Sequence, residues 1–508
     1  MPVHGQQTQT PGEFPPITGE RFACTSGDAR GFRCSNVDLL SYLPITEIGG
    51  TRDVPGLADT RLNDIWGWTD PLTGKEYALV GRTDGTAFVD VSNPIDPVFL
   101  GSLPLTEGSR RTSWRDIKVF NNFAFVVADL TDNHGMQVFN LERLRSVPDT
   151  PATFGPDATY MGIERAHNIA INEESGFAYA VGSNTCGGGL HMIDVSDPIN
   201  PTFAGCYAEV SSGRARTGYT HDTQCVNYHG PDPDYAGREI CVSSNENSIV
   251  ITDVTVKSAP VTVAVAEYPA FAYTHQGWLT PDHTHFLLDD ELDELPRSAM
   301  IRTRTLIWNL EDLDDPLPPT LYAGTTTSID HNQYIVEKRA FQANYASGLR
   351  ILDLTDVTHP VEVGFFDTFP AHDSAMFVGA WSNYPFFESG IVVISSINEG
   401  FFVVQPTGQA KTAIARDEVP TDFRLLPPYP NPFNPQTTVT LEVDQPQHVR
   451  LTVYDALGKE LSTLFSGVIS SPGRREVLFD GSALPSGVYL IRATGRSGIQ
   501  AITVTLQK

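Results

Sequence analysis

The chain has 508 residues, too many for one ordinary core unless that core grows by stacking repeats. Its formal net charge of −27 excludes nucleic acid and anionic lipid surfaces as partners. Hydrophobic residues make up 40% of it, an ordinary share for a globular protein, and no apolar run approaches the roughly 18 residues that a membrane-spanning helix needs.

Residues 1–37 read as an N-terminal extension in which Cys24 and Cys34 flank a small loop. Met1 is not followed by a basic segment and an apolar core, so no signal peptide is visible. Six cysteines, with no CxxC or Cys/His zinc spacing among them, predict disulfides and an oxidising compartment. Together these features predict a trimmed start rather than an intracellular protein. Six cysteines allow 15 pairings. The set expected here is Cys24–Cys34, Cys186–Cys206 and Cys225–Cys241.

From residue 38 to 405 a pattern repeats. A polar cluster opens a short strand at Asn63-Asp64-Ile65-Trp66, Arg115-Asp116-Ile117-Lys118, His167-Asn168-Ile169-Ala170, His221-Asp222-Thr223-Gln224, His275-Gln276-Gly277-Trp278 and His331-Asn332-Gln333-Tyr334. The intervals are 52, 52, 54, 54 and 56 residues, and a weaker copy, Gly379-Ala380-Trp381-Ser382, follows 48 residues later. Second strands are expected at 77–80, 124–127, 178–181, 239–242, 285–288, 340–343 and 391–394, each followed by a glycine- or asparagine-bearing turn such as Thr83-Asp84-Gly85 or Ala346-Ser347-Gly348. Third strands end in Asp or Asn (Asp90, Asn140, Asp194, Asp253, Asn309, Asp353), side chains that bond the backbone two residues on. Fourth strands follow, as at 97–100, 202–204 and 361–365. Four antiparallel strands repeated radially make a β-propeller, and seven copies make seven blades. The last blade lacks an outer strand of its own, and the orphan 38–43 is expected to close the ring by supplying it.

Residues 406–424 form a polar linker, and 425–508 hold short alternating strands at 437–443, 449–454, 475–478, 487–493 and 501–506, the pattern of a small Ig-like β-sandwich. The acid excess lies upstream: from Asn431 to Lys508 seven Lys and Arg stand against six Asp and Glu. The fold class is therefore all-β, a seven-bladed propeller followed by a sandwich. Tyr429-Pro430-Asn431-Pro432-Phe433-Asn434-Pro435, Val453-Tyr454-Asp455-Ala456-Leu457-Gly458-Lys459 and Leu484-Pro485-Ser486-Gly487-Val488-Tyr489 resemble the type A C-terminal sorting domain of the type IX secretion system. That resemblance implies the type IX machinery as partner, passage through the periplasm, a secreted or cell-surface destination and removal of the tail. The body, about 34–406, resembles the LVIVD-repeat proteins called choice-of-anchor B, through Asn63-Asp64-Ile65-Trp66-Gly67-Trp68, Ser113-Trp114-Arg115-Asp116, Ala166-His167-Asn168, Tyr219-Thr220-His221-Asp222, Leu288-Asp289-Asp290-Glu291 and Ile329-Asp330-His331-Asn332. That resemblance implies a fold and a location but no reaction.

First strands line a propeller's channel, so His167, His221, His275 and His331 are expected to converge at one mouth as ligands of copper, iron or zinc. Asp222 and Asp289 join them as metal candidates, the latter from an acid run, Asp289 to Glu294, that could alternatively bind calcium. Asn63, Asp64, Arg115 and Asp116 are the candidates for a small-molecule or glycan ligand, with Arg115 holding an anionic group. The rival explanation is that equivalent positions do equivalent structural work, but Asn63 and Arg115 fill the same slot without imidazole. Trp66, Trp68, Trp114, Trp278 and Trp381 fit interblade packing or a sugar-binding mouth, and the histidines outside the repeat, His134 among them, read as ordinary. No GxSxG, Walker or HExxH motif is present. The expected function is a secreted propeller with a His-ligated site. The rivals are an adhesion or scaffold module and a calcium-stabilised carbohydrate binder.

Overall fold

The computed structural model describes residues 14–295, 302–412, 423–443, 447–454, 459–469, 473–495 and 498–508. The chain divides into two units, Met1–Ala415 and Arg416–Lys508.

In the first unit the inner strands are Leu62–Thr69, Arg115–Phe120, Asn168–Asn172, Asp222–Asn227, Thr274–Leu279, Gln333–Val336 and Ala380–Tyr384. Each opens a run of four antiparallel strands, to which the first sheet adds one further strand and the sixth two. Each inner strand touches the next, and Ala380–Tyr384 returns to Leu62–Thr69, so the ring closes on itself. The seven sheets are the blades of a propeller, numbered 1 to 7 below in chain order.

Local chemistry explains the repeat. All six expected Asx turns form: the side chains of Asp90, Asn140, Asp194, Asp253, Asn309 and Asp353 accept hydrogen bonds of 2.8 to 3.0 Å from the backbone N–H two residues on. The turn thus stops each third strand and satisfies a backbone donor at the same time. At the tip of blade 6, Gly348 has φ +75°, and a Cβ there would lie 2.2 Å from the Phe366 carbonyl oxygen. Only glycine combines that left-handed backbone with so close an approach.

Ring closure follows the expected route. Val37–Pro44 pairs antiparallel with Gly400–Pro406, Leu39 opposite Val404 and Tyr42 opposite Phe402. Tyr42 is fully buried and donates its hydroxyl to the Glu399 carbonyl at 2.8 Å. The extension covers the neighbouring outer edges. Ile17 and Phe22 bridge to Tyr42 and Leu39, and the hairpin Asp28–Ala29/Phe32–Ser35 adds to Val361–Phe366 of blade 6. A covered edge offers no template for pairing with another chain. The disulfides are Cys24–Cys34, Cys186–Cys206 and Cys225–Cys241, and no free cysteine remains among the described residues.

One departure is local. In blade 2 the fourth strand, Ala158–Tyr160, is short and comes late. Before it the chain forms a 3-10 turn, Leu141–Arg145, and then lays Ala152–Thr153 parallel to the outer strand of blade 1. The excursion is anchored by Arg145, whose guanidinium donates twice to Asp70, at 2.8 and 2.7 Å.

The second unit holds two antiparallel sheets. One contains Phe423–Tyr429, Gln436–Val443 and Gly473–Asp480; the other contains Glu460–Ile469, Gln447–Tyr454, Gly487–Gly495 and Gly498–Leu506. Val439, Leu441, Val449, Leu451, Val453, Ile491 and Val504 bury themselves in one core, as a sandwich requires. Two strands exceed the expected set, Phe423–Tyr429 and Glu460–Ile469. Residues 413–422 of the expected linker and 455–458 of the sorting motif lie outside the described residues.

Candidate metal centre

Hairpin register builds the first cavity of the channel. Arg115 pairs with Ala128, Asn168 with Val181 and Asp222 with Ser244, so each inner strand begins opposite the end of its neighbour. His167, His221, His275 and His331 sit at these starts in blades 3 to 6. Their ring centroids follow one another at 4.3, 4.2 and 4.4 Å. Trp114, Arg115, Asn168, Asn332 and Trp381 complete a cavity of about 10 Å³, room for one water or one ion.

Each imidazole is fixed through Nδ1. His167 meets Asp129 Oδ2 at 2.9 Å and His275 meets Asp289 Oδ1 at 2.8 Å. His221 Nδ1 lies 3.0 Å from the His275 carbonyl, and His331 Nδ1 lies 2.6 Å from that of Trp381. Carbonyls and carboxylates accept, so the proton belongs on Nδ1 and the Nε2 lone pair is left free. Burial, assisted by the neighbouring rings, pushes the pKa values of His221 and His275 well down, and burial holds that of His331 at about 3. Among the described residues, no Nε2 of the four makes a hydrogen bond.

Glu291 joins the arc. Its Oε1 lies 3.6 Å from His331 Nε2 and accepts the Tyr345 hydroxyl at 2.9 Å. Burial pushes its pKa up to about 7. Ligand atoms of His275, Glu291 and His331 all lie within 4.8 Å of one another. Two imidazoles and a carboxylate with open positions suit iron, copper or zinc. Of the two other such groups among the described residues, Cys186, His191 and Cys206 have their sulfurs tied in a disulfide, while Asp312 and Asp314 are exposed beside Asp232.

Arg115 stands in the same wall, 2% exposed. Its Nε donates to the Arg82 carbonyl at 3.3 Å, and its Nη1 donates to His134 Nε2 at 3.0 Å. Nη2 is buried without a partner, and burial lowers the guanidinium pKa to about 10. It makes no ion pair with Asp64 or Asp116. His134 therefore positions Arg115 and is not ordinary. Nothing in the repeat marked it, because it lies in a turn of blade 2. Asp129 was missed for a related reason: it follows the second strand of blade 2 but serves the histidine of blade 3.

The remaining candidates are placed differently. Asp289 meets His275 and Gln276 N, the latter at 3.0 Å, through Oδ1, and its buried Oδ2 has no hydrogen-bond partner among the described residues. Asn63 donates to the Ser113 carbonyl at 3.0 Å and does not line the cavity. Asp64 and Asp116 flank Lys118, whose Nζ lies 2.5 Å from Asp116 and 3.6 Å from Asp64. Burial works against the lysine's charge, but its two aspartates hold its pKa above the usual value. Burial holds Asp64 above the carboxylate range. Burial also acts to raise Asp116, but Lys118 together with hydrogen bonds from Asp64 and the Ile169 N–H holds it below that range. Asp222 lines a different cavity. Asp293 and Glu294 lie in a buried acid group with Asp330; Arg304 donates to Asp293 Oδ2 at 2.8 Å, while Asp293 Oδ1 and both oxygens of Glu294 and Asp330 have no hydrogen-bond partner among the described residues. Burial and its acidic neighbours push Glu294 up to about 12.

Comparison with known proteins places these features. The LVIVD repeat model matches residues 74–104 and 165–209, and that of the secretion system C-terminal sorting domain matches 428–505. Among curated proteins none matches the sequence. Among solved structures, a Lactobacillus plantarum protein is similar at 12% identity and TM-score 0.41, over 82% of this chain and 98% of that one. The β-propeller domain of Myceliophteria thermophila Cps50 (Swd1) is similar at 7% identity and TM-score 0.44, over 69% and 99%. No helix among the described residues is long and apolar enough to cross a membrane. The chain is thus a secreted or cell-surface β-propeller that carries LVIVD repeats and ends in a type IX C-terminal sorting domain.

Proposed function

We propose that the histidine arc binds one transition-metal ion, copper, iron or zinc, and that the secreted propeller exists to present it. The observation that carries this reading is the shared state of the four imidazoles: every Nδ1 is engaged by an oxygen acceptor, and among the described residues no Nε2 makes a hydrogen bond, that of His331 facing Glu291 at 3.6 Å. A purely structural histidine has no reason to keep one nitrogen idle four times over.

His221, His275 and His331 with Glu291 would hold the ion. Such an ion supplies Lewis acidity or, for copper and iron, one-electron chemistry. Asp129 and Asp289 keep two of the rings in the Nδ1–H tautomer and aim them. Arg115 stands in the wall of the same cavity as a buried cation beside the place of the ion. Trp114 and Trp381 narrow the cavity and limit what enters. The acid group of Asp293, Glu294 and Asp330 carries a second, calcium reading, resting on its unpartnered buried oxygens.

The test is metal content. The full chain, purified from an oxidising compartment, is compared by mass spectrometry with a His221→Ala/His275→Ala variant of equal thermal stability. Near-stoichiometric copper, iron or zinc, lost in the variant, supports the reading. Neither protein holding metal, even after reconstitution, overturns it and leaves an adhesion or scaffold module.

A further inference from the structure

A second cavity, of about 370 Å³, is lined by residues farther along the same inner strands, with contributions from all seven blades. Its volume is that of a small-molecule pocket. The layer of Asp64, Asp116 and Lys118, described above, lies between it and the histidines.

One side is aromatic. Trp66, Trp278, Tyr334, Tyr384 and Phe386 line it, with neighbouring ring centroids 5.0 to 6.1 Å apart. On blade 4, Asp222 and Gln224 stand two apart on one strand and therefore on one face. Each keeps half of its hydrogen-bonding capacity. Asp222 Oδ1 accepts from the Thr223 N–H at 2.6 Å, and Oδ2 has no hydrogen-bond partner among the described residues. Gln224 Oε1 accepts from the Leu279 N–H at 2.7 Å, and its amide NH₂ has no hydrogen-bond partner among the described residues. The free groups are thus one acceptor and one donor, side by side.

Charge narrows the ligand. The Lys118 ammonium lies 4.5 Å over the Trp66 ring and already occupies the face of that ring on which a ligand cation would sit. That ammonium is already matched by Asp116 and Asp64, and Asp222 with the exposed Glu173 and Glu174 adds negative charge, so an anion finds no free cation. What remains is a neutral ring with apolar faces and adjacent hydroxyls. We propose that this cavity binds one neutral pyranose unit, its ring against the Trp278 and Phe386 side and a vicinal hydroxyl pair donating to Asp222 and accepting from Gln224. The proposal does not depend on the metal.

The full chain is titrated by calorimetry and tryptophan fluorescence with glucose, galactose, mannose, N-acetylglucosamine and their β-linked disaccharides, with and without EDTA. Saturable binding of at least one sugar with Kd of about 1 mM or tighter is expected, unchanged by EDTA. Asp222→Asn and Gln224→Glu keep shape and each keeps an acceptor, and they are expected to weaken it at least about tenfold while thermal midpoints hold. No binding by wild type, equal binding by both variants, or preference for tetramethylammonium or acetate probes overturns the proposal.

Discussion

Glu399, in the turn between the last two strands that blade 7 builds for itself, gives a stability change with an unusual sign. Its side chain is 4% exposed, one oxygen accepts the Ser396 hydroxyl at 2.6 Å and the other has no partner. Burial raises its pKa from 4.5 to about 7. A raised carboxyl binds its proton more tightly folded than unfolded, so its contribution is fully present below pH 4.5 and is lost as pH rises through 7. At pH 8 the buried charge costs roughly 3 kcal/mol, from a shift of about 2.5 pKa units at 1.36 kcal/mol each. Glu399→Gln resembles the protonated form. Urea unfolding, followed by tryptophan fluorescence of the propeller unit at several pH values, is expected to show near-equal stability at pH 4.5. The variant should then gain up to about 3 kcal/mol at pH 8. A difference that does not change with pH, or a variant weaker than wild type at pH 8, refutes the reasoning.

Asp289→Asn, which weakens the hold on His275 Nδ1, is expected to lower metal affinity by about 10 to 100-fold with folding intact, measured by competition with a chelator. Serine at both Cys225 and Cys241 opens a loop closed over a sequence separation of 16 and is expected to cost about 3 kcal/mol in denaturant unfolding. Gly348→Ala meets the Phe366 carbonyl in a left-handed backbone and should cost at least about 1 to 3 kcal/mol, read as a lower unfolding midpoint. Calcium should raise the thermal midpoint of wild type at pH 8 but not that of Glu294→Gln; equal midpoints with and without calcium dismiss the calcium reading.

The parts of this fold legible in the sequence are those where one residue type has one local job. The Asx turns, the closing strand from the N-terminal side and the three cysteine pairs all depend on short-range geometry or on hairpin register, which a period near 54 residues exposes. The strand Glu460–Ile469 was not legible because its interior residues, such as Ser462, Thr463 and Ser466, dilute the apolar alternation on a side open to water. The four histidines were legible for the same reason as the blades. Of the groups around them, Glu291 was legible only as one member of the acid run Asp289 to Glu294, whereas Asp129 and His134, which hold His167 and Arg115, lie in turns of blade 2 and occupy no repeat position. Asp222 shows the opposite error. It follows His221 directly, which suggests a shared site, but successive residues of a strand face opposite ways and it lines the other cavity.

The most direct test of the central claim is anomalous diffraction from crystals of the full chain, recorded at the absorption edges of iron, copper and zinc. The account predicts a single peak within bonding distance, about 2.0 to 2.2 Å, of Nε2 of His275 and His331. Density of a water alone between those nitrogens, or a peak bound only elsewhere on the molecule, would contradict it.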